Sequence, residues 1–347
     1  MTDRHSNNPP GEDNTNTHTN TPDANPGSIL HPLPADSAGL PSKRTGGPPV
    51  RSVPWDNTAG TTTSGGRQAG LWGDAWRQLR RSPVFWIATS IIFLFGLMAI
   101  VPGLFTDADP HFCSLERSVE SPSREHPFGY DIQGCDYYAR VIYGARVSMT
   151  AGVLVATVAS LFATIFGALA GYYGGLLDTI IARLTDVWFG IPTVLGAIVV
   201  LSTVGNRGIL EVSLVLAALG WTTMLRLMRS AVLAEKNADY VRAAQALGAP
   251  HRRVIVRHIL PNSISPLIVY ATIFVGISIT TEATLSFLGV GLQLPSISWG
   301  LMISTAQNRI LQRPHLLIYP GICLSLVVLS FIMLGDILRD ALDPKLR

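Results

Sequence analysis

The sequence predicts an all-α polytopic membrane protein with six transmembrane helices and both termini on the cytoplasmic side (N-in/C-in). Three observations predict it. Charge-free apolar stretches recur along the 347 residues, at the length of about 20 helical residues that spans ~30 Å of hydrocarbon. Only 14% of residues are charged, and mean hydropathy is +0.32, which is unlike an ordinary soluble domain. The basic residues are segregated into particular connections, and such asymmetry sets orientation. The formal net charge of +3 therefore says little about partners.

Residues 1–70 are rich in Pro, Asn, Thr, Ser and Gly and read as a disordered cytoplasmic tail, because such a segment cannot bury enough surface to offset its ordering entropy. No apolar stretch near Met1 suggests a signal peptide. Residues 71–83 place Leu71, Trp72, Ala75, Trp76 and Leu79 on one side and Arg77, Arg80 and Arg81 on another. They read as an interfacial amphipathic helix with Trp at headgroup level, or as an ordinary helix start before a span. The first span is 84–105, followed by an extracytoplasmic loop over 106–145. A core membrane domain occupies 146–340 and a short tail 341–347. Within the core, the second span lies in Ser148–Tyr173, rich in Ala and Gly as close-packed membrane helices are. A tight turn is expected at Gly171–Gly175, before a third span, Val187–Thr203, kinked by Pro192. The fourth span is Ile209–Leu227, the fifth Ile264–Thr281 and the sixth Leu316–Gly335.

The connection between spans four and five holds Arg226, Arg229, Lys236, Arg242, Arg252, Arg253 and Arg257, whereas that between five and six holds only Arg309 and Arg313. That asymmetry puts loop 231–262 inside and 106–145 outside. On the oxidising side, Cys113 and Cys135 either bridge, closing a loop worth about 3 kcal/mol, or stay as two thiols. Cys323, inside the sixth span, reads as packing.

Enzyme readings start poorly. The only lysines are Lys43, Lys236 and Lys345, none in a Gly-x4-Gly-Lys setting, and no zinc-type cluster or nucleophile elbow is present. The stretch with most character is Tyr240–Pro261, YVRAAQALGAPHRRVIVRHILP. A helix up to Leu247, with Ala243, Ala244 and Leu247 on one face, is broken by Gly248-Ala-Pro250. A second helical segment then runs to Pro261. Such a plug could fit a groove on another protein, or be a basic loop with no partner.

This stretch resembles the EAA loop of ABC-transporter membrane subunits, with Ala243-Ala244, Gly248 and Leu260-Pro261 in register. Arg242 stands where Glu is usual and His258 where an apolar residue is usual. His126-Pro-Phe-Gly-Tyr-Asp131, Gly134-Cys-Asp136, Arg140–Ser148, Gly171–Gly175 with Asp178, Asp186, Glu282–Gly291, Pro295 and Ser298-Trp-Gly300 resemble the C-type permease subunit of dipeptide/oligopeptide ABC importers. In that branch Arg is usual where Cys135 stands, and the swap, paired with Cys113, is what a lineage-specific disulfide would look like.

The resemblance implies a type I ABC importer permease fold in a bacterial inner membrane. It implies a membrane-spanning subunit that does no covalent chemistry and carries no cofactor. Its implied partners are a homologous second permease, two ATP-binding domains, an extracytoplasmic binding protein, peptide substrate and membrane lipid, but no nucleic acid. Arg242, Ala243, Ala244, Leu247, Gly248 and Pro261 would couple to the ATPase. Glu282, an ionisable residue at membrane depth, and Trp299 are candidates for the pathway or gate; the alternative for Glu282 is a structural charge hydrogen-bonded to nearby backbone in the Gly289–Trp299 bend. Trp299 and the region 289–314 are expected to lie flat on the outer face and help dock the binding protein. A non-peptide solute such as a nickel chelate or glutathione stays open. A secondary transporter remains the rival class, but it predicts facing intramembrane charges, and apart from Glu282 and Glu211 the spans hold almost none.

Overall fold

A computed structural model describes residues 71–342. The expected tail 1–70 and the residues from 343 onward lie outside the described residues. Apart from two isolated β-bridges, Cys113 with Cys135 and Tyr130 with Asp136, the described residues are helices and connections. The helices are α1 (Leu71–Leu79), α2 (Pro83–Ile100), α3 (Tyr137–Tyr173), α4 (Gly175–Phe189), α5 (Thr193–Thr203) and α6 (Ile209–Glu235). After them come α7 (Asp239–Ala246), α8 (His251–Arg253), a π-helical segment Val254–Ile259, α9 (Leu260–Ser263), α10 (Ser265–Phe287), α11 (Trp299–Ala306) and α12 (His315–Leu342).

The long central helix α3 organises the rest. It has 37 residues, about 55 Å at 1.5 Å per residue, so it projects well beyond the hydrocarbon. The sequence places residues 137–145 in the outer loop, and the structure corrects this. Asp136 caps the helix by accepting from Ala139 N–H at 2.9 Å, and helical pairing starts at once. Small residues let α3 approach α6: a Cβ added at Gly167 would stand 2.9 Å from Met228 Cβ and 3.0 Å from the Leu225 carbonyl oxygen. Only glycine permits that separation of two backbones.

The third span differs most from expectation. Val187–Thr203 is not one kinked helix. Val187 to Phe189 belong to α4, a helix unforeseen in the sequence, and α4 and α5 meet at 85°. Pro192 has no N–H to continue the ladder and disfavours helix at Ile191. Trp188 Nε1 donates to the Ala218 carbonyl at 2.7 Å and pins the bend to α6. The bent pair starts beside Tyr173 and leads to Arg207, which donates to the Gly289 carbonyl at 3.2 Å beyond the far end of α10. Taken as one broken span, it joins the five helices that are long and apolar enough to cross a membrane, for up to six candidate spans among the described residues.

Other boundaries also extend. The helices α6, α10 and α12 run on to Glu235, Phe287 and Leu342, past the spans ending at Leu227, Thr281 and Gly335. Two of the arginines counted as loop cations, Arg226 and Arg229, lie within α6. Arg229 makes a two-pronged ion pair with Asp178, and Arg226 bonds Asp186 at 3.0 Å. Both pairs tie α4 to α6.

Candidate functional site

The two ends of α3 carry different sites. At its C-terminal end, the segment between α6 and α10 is folded back by a few anchors. Lys236 Nζ donates to the Tyr172 carbonyl, and the Tyr172 hydroxyl lies 2.7 Å from His251 Nδ1. Val241, Val254 and Ile259 are fully buried and join the two arms to the core. Asn262 Nδ2 donates to the His258 carbonyl at 2.9 Å and to the Tyr240 hydroxyl at 3.1 Å, and that hydroxyl donates to Glu235. Burial, then the Glu235 carboxylate, push the Tyr240 hydroxyl up to about 12.

Between the arms α7 ends at Ala246, and Gly248 adopts φ +79°. Its N–H bonds the Gln245 carbonyl at 2.9 Å, while Ala249 N–H bonds that of Ala244 at 3.1 Å. A Cβ at Gly248 would touch nothing within 4 Å, so the left-handed backbone, not space, calls for glycine. The π-helical segment has a local cause as well. Pro261 offers no N–H to the Arg257 carbonyl, and upstream the Leu260 N–H reaches Ile255.

Of the residues singled out in the sequence, Arg242, Ala243, Leu247, Gly248 and Pro261 are exposed and Ala244 is half-buried. In α7 it is Val241 that packs inward, while Ala243 is exposed, as is Leu247 just beyond its end. Leu247 is 89% exposed at the elbow. Arg242, Arg252, Arg253 and Arg257 are also exposed, and none forms an ion pair among the described residues.

At the other end, Glu282 and Trp299 are brought together, and both are fully buried. Glu282 Oε1 accepts from the Ser286 hydroxyl at 2.8 Å and the Ser298 hydroxyl at 3.1 Å. The two serines in turn accept from backbone: Ser286 from Leu292 N–H at 3.0 Å, Ser298 from Leu301 N–H at 3.2 Å as the cap of α11. Trp299 donates from its backbone to Ser148 at 3.2 Å and from Nε1 to the Val141 carbonyl at 2.9 Å. Its ring meets Phe95 edge-on at 5.5 Å. Glu282 Oε2 is buried with no partner among the described residues. The carboxylate thus locks α10 to the α11 turn, and Trp299 locks α11 to α3. The helix α11 does not lie free on the surface, since Trp299, Gly300, Met302 and Ala306 are all buried.

The loop over 106–136 closes this end. Cys113 and Cys135 form a disulfide. Asp131 pairs with Arg140 and accepts from Cys135 N–H at 2.9 Å. His126 Nδ1 lies 2.6 Å from Asp136, its Nε2 2.8 Å from the Tyr130 hydroxyl, and Arg117 donates to that hydroxyl at 2.6 Å. Sequence reasoning did not find this chain of bonds, nor the bonds made by Ser148, Ser286 and Ser298, because each depends on a partner that only the fold supplies.

Residues 163–347 match the family model for binding-protein-dependent transport system inner membrane components. Residues 70–122 match the N-terminal membrane domain of oligopeptide transport permease C. Among similar proteins, the dipeptide transport system permease protein DppC of Alkalihalophilus pseudofirmus is 38% identical over 80% of this chain and 90% of its own length. The oligopeptide transport system permease protein OppC of Bacillus subtilis is 36% identical over 80% and 90%. The glutathione transport system permease protein GsiD of Pectobacterium atrosepticum is 37% identical over 80% and 92%. The chain belongs to the family of binding-protein-dependent transport system inner membrane components, in the branch that carries the oligopeptide permease C membrane domain.

Proposed function

We propose that the chain is one membrane-spanning half of an ATP-driven importer of peptides in a bacterial inner membrane, with both termini in the cytoplasm. The observation that carries this reading is the 38% identity over 276 residues to a permease named for dipeptide transport, with a relative named for oligopeptides at 36%. Substrate would pass between this chain and a homologous second permease. Two separate ATP-binding subunits would supply hydrolysis, because the sequence holds no phosphate-binding Gly-x4-Gly-Lys loop. Their motion would enter through the exposed elbow around Leu247 and Gly248. A rigid α3 packed along α6 suits a push carried from one end to the other. An extracytoplasmic binding protein would deliver peptide at the disulfide-bonded end.

The relative named for glutathione favours a second reading, the same machinery serving a small γ-linked peptide. One experiment separates the readings. The tagged chain is purified with its accompanying subunits and reconstituted, and ATP hydrolysis and uptake are followed with dipeptides, oligopeptides and glutathione. Peptide-stimulated hydrolysis is the expected outcome, and stimulation by glutathione alone selects the second reading. A chain that purifies alone and transports without ATP overturns both.

A further inference from the structure

Two residues of α1 pack inward. Ala75 and Leu79 are buried against Phe85 of α2 and Ala341 of α12. What α1 and the start of α2 leave outward is a pair of cations in an aromatic frame. Arg80 stands 5.8 Å over the Trp76 ring, and its carbonyl accepts from Trp86 Nε1 at 3.2 Å. Phe85 meets the two indoles edge-on, at 6.2 Å and 5.5 Å. Trp76 and Trp86 stay 49% and 50% exposed. Arg80 and Arg81 are exposed, and neither has an ion-pair partner among the described residues.

We propose that Arg80 and Arg81, framed by Trp76 and Trp86, form a docking site for the phosphate of an anionic glycerophospholipid headgroup. Depth argues for this occupant. The apolar helix α2 starts at Pro83, so the two guanidinium groups stand within a turn of where hydrocarbon begins, where lipid phosphates lie. Indoles favour that same layer, and guanidinium matches phosphate with two parallel hydrogen bonds. Because α1 is clamped on α12, a lipid held here would staple α1, α2 and α12 together at the membrane face.

The site is independent of what the transporter carries, and its test needs no transport. The full-length chain with its accompanying subunits is exchanged into an equal mixture of phosphatidylglycerol and phosphatidylcholine. Retained lipids are then counted by native mass spectrometry. The wild type is expected to hold phosphatidylglycerol over phosphatidylcholine. R80Q/R81Q is expected to hold it roughly 30-fold more weakly, from two headgroup contacts at about 1 kcal/mol each. R80K/R81K keeps both charges without the planar fork and should fall between wild type and R80Q/R81Q; R124Q, at the opposite end, should keep the full preference. Equal retention of both lipids by the wild type, or equal phosphatidylglycerol retention by R80Q/R81Q, overturns the proposal.

Discussion

The two ends of α3 use polar residues in opposite ways. At the disulfide-bonded end, Glu282, Trp299, Ser148, Ser286 and Ser298 are fully or nearly fully buried and answer one another within the chain. At the elbow end, Arg242, Arg252, Arg253 and Arg257 face outward with no ion pair among the described residues, and Leu247 is 89% exposed. A leucine so exposed is no surprise singly. At the tip of an elbow turned at Gly248, among cations with no ion pair among the described residues, it is where the proposed ATP-binding subunit would dock. The first end is completed by the chain itself, so its substitutions should act on stability. Those at the elbow should act on coupling.

The largest expected effect lies at the closed end. Trp299→Ala removes a fully buried indole, its bond to Val141 and its contact with Phe95. It should cost about 3–5 kcal/mol, read as a lowered unfolding midpoint in detergent. If the midpoint stays put, the closed end is not what holds α11 to α3. Cys113→Ser comes next. It opens a bridge between residues 22 apart, worth about 3 kcal/mol in the chain-entropy model, and reductant should reproduce the loss in wild type but not in the variant. At the elbow, Leu247→Asp should change the midpoint by less than about 0.5 kcal/mol, as exposed substitutions do. It should lower substrate-stimulated ATP hydrolysis at least about tenfold, or 1.4 kcal/mol of coupling. Unchanged hydrolysis would remove Leu247 from the interface and erase the contrast.

How much of this was legible follows from range. The apolar spans announce themselves, because a water-soluble fold rarely tolerates about 20 consecutive residues without a charge. The first eleven residues of α3 were missed because Arg140 and Arg146 lower the local hydropathy, although Asp136 before Tyr-Tyr-Ala was a readable cap. The helix α4 was missed for a similar reason, since Asp178, Arg183 and Asp186 make it look like a loop. Their partners Arg226 and Arg229 lie about 40 to 50 residues on. For Glu282, Ser286 is one helical turn away and could be inferred. Ser298, 16 residues further along, could not, because only the turn after α10 and the packing of α11 return it. In the elbow, Gly248 was readable as a helix stop, but the inward residue was not: Val241 rather than Ala243 or Ala244 meets the core.

The smallest predicted effect tests whether the elbow has any internal stability of its own. Tyr240 is a polar hub there, donating to Glu235 and accepting from Asn262. Tyr240→Phe keeps the ring and should cost about 0.5–1 kcal/mol, towards the lower figure because the residue is 42% exposed. Alkali offers a second measure. Burial, then Glu235, raise the hydroxyl from 10.0 to about 12 in the folded chain. Its contribution is therefore full below pH 10, where the unfolded tyrosine is still protonated, and fades as pH rises towards 12. Between those values the unfolding midpoint of wild type should fall towards that of Tyr240→Phe, and below pH 10 the gap should be constant. A gap that grows with pH would mean the hydroxyl is easier to ionise in place than in the open chain. The elbow would then be held by Val241, Val254 and Ile259 alone, and the hydrogen-bonded hub would be incidental to it.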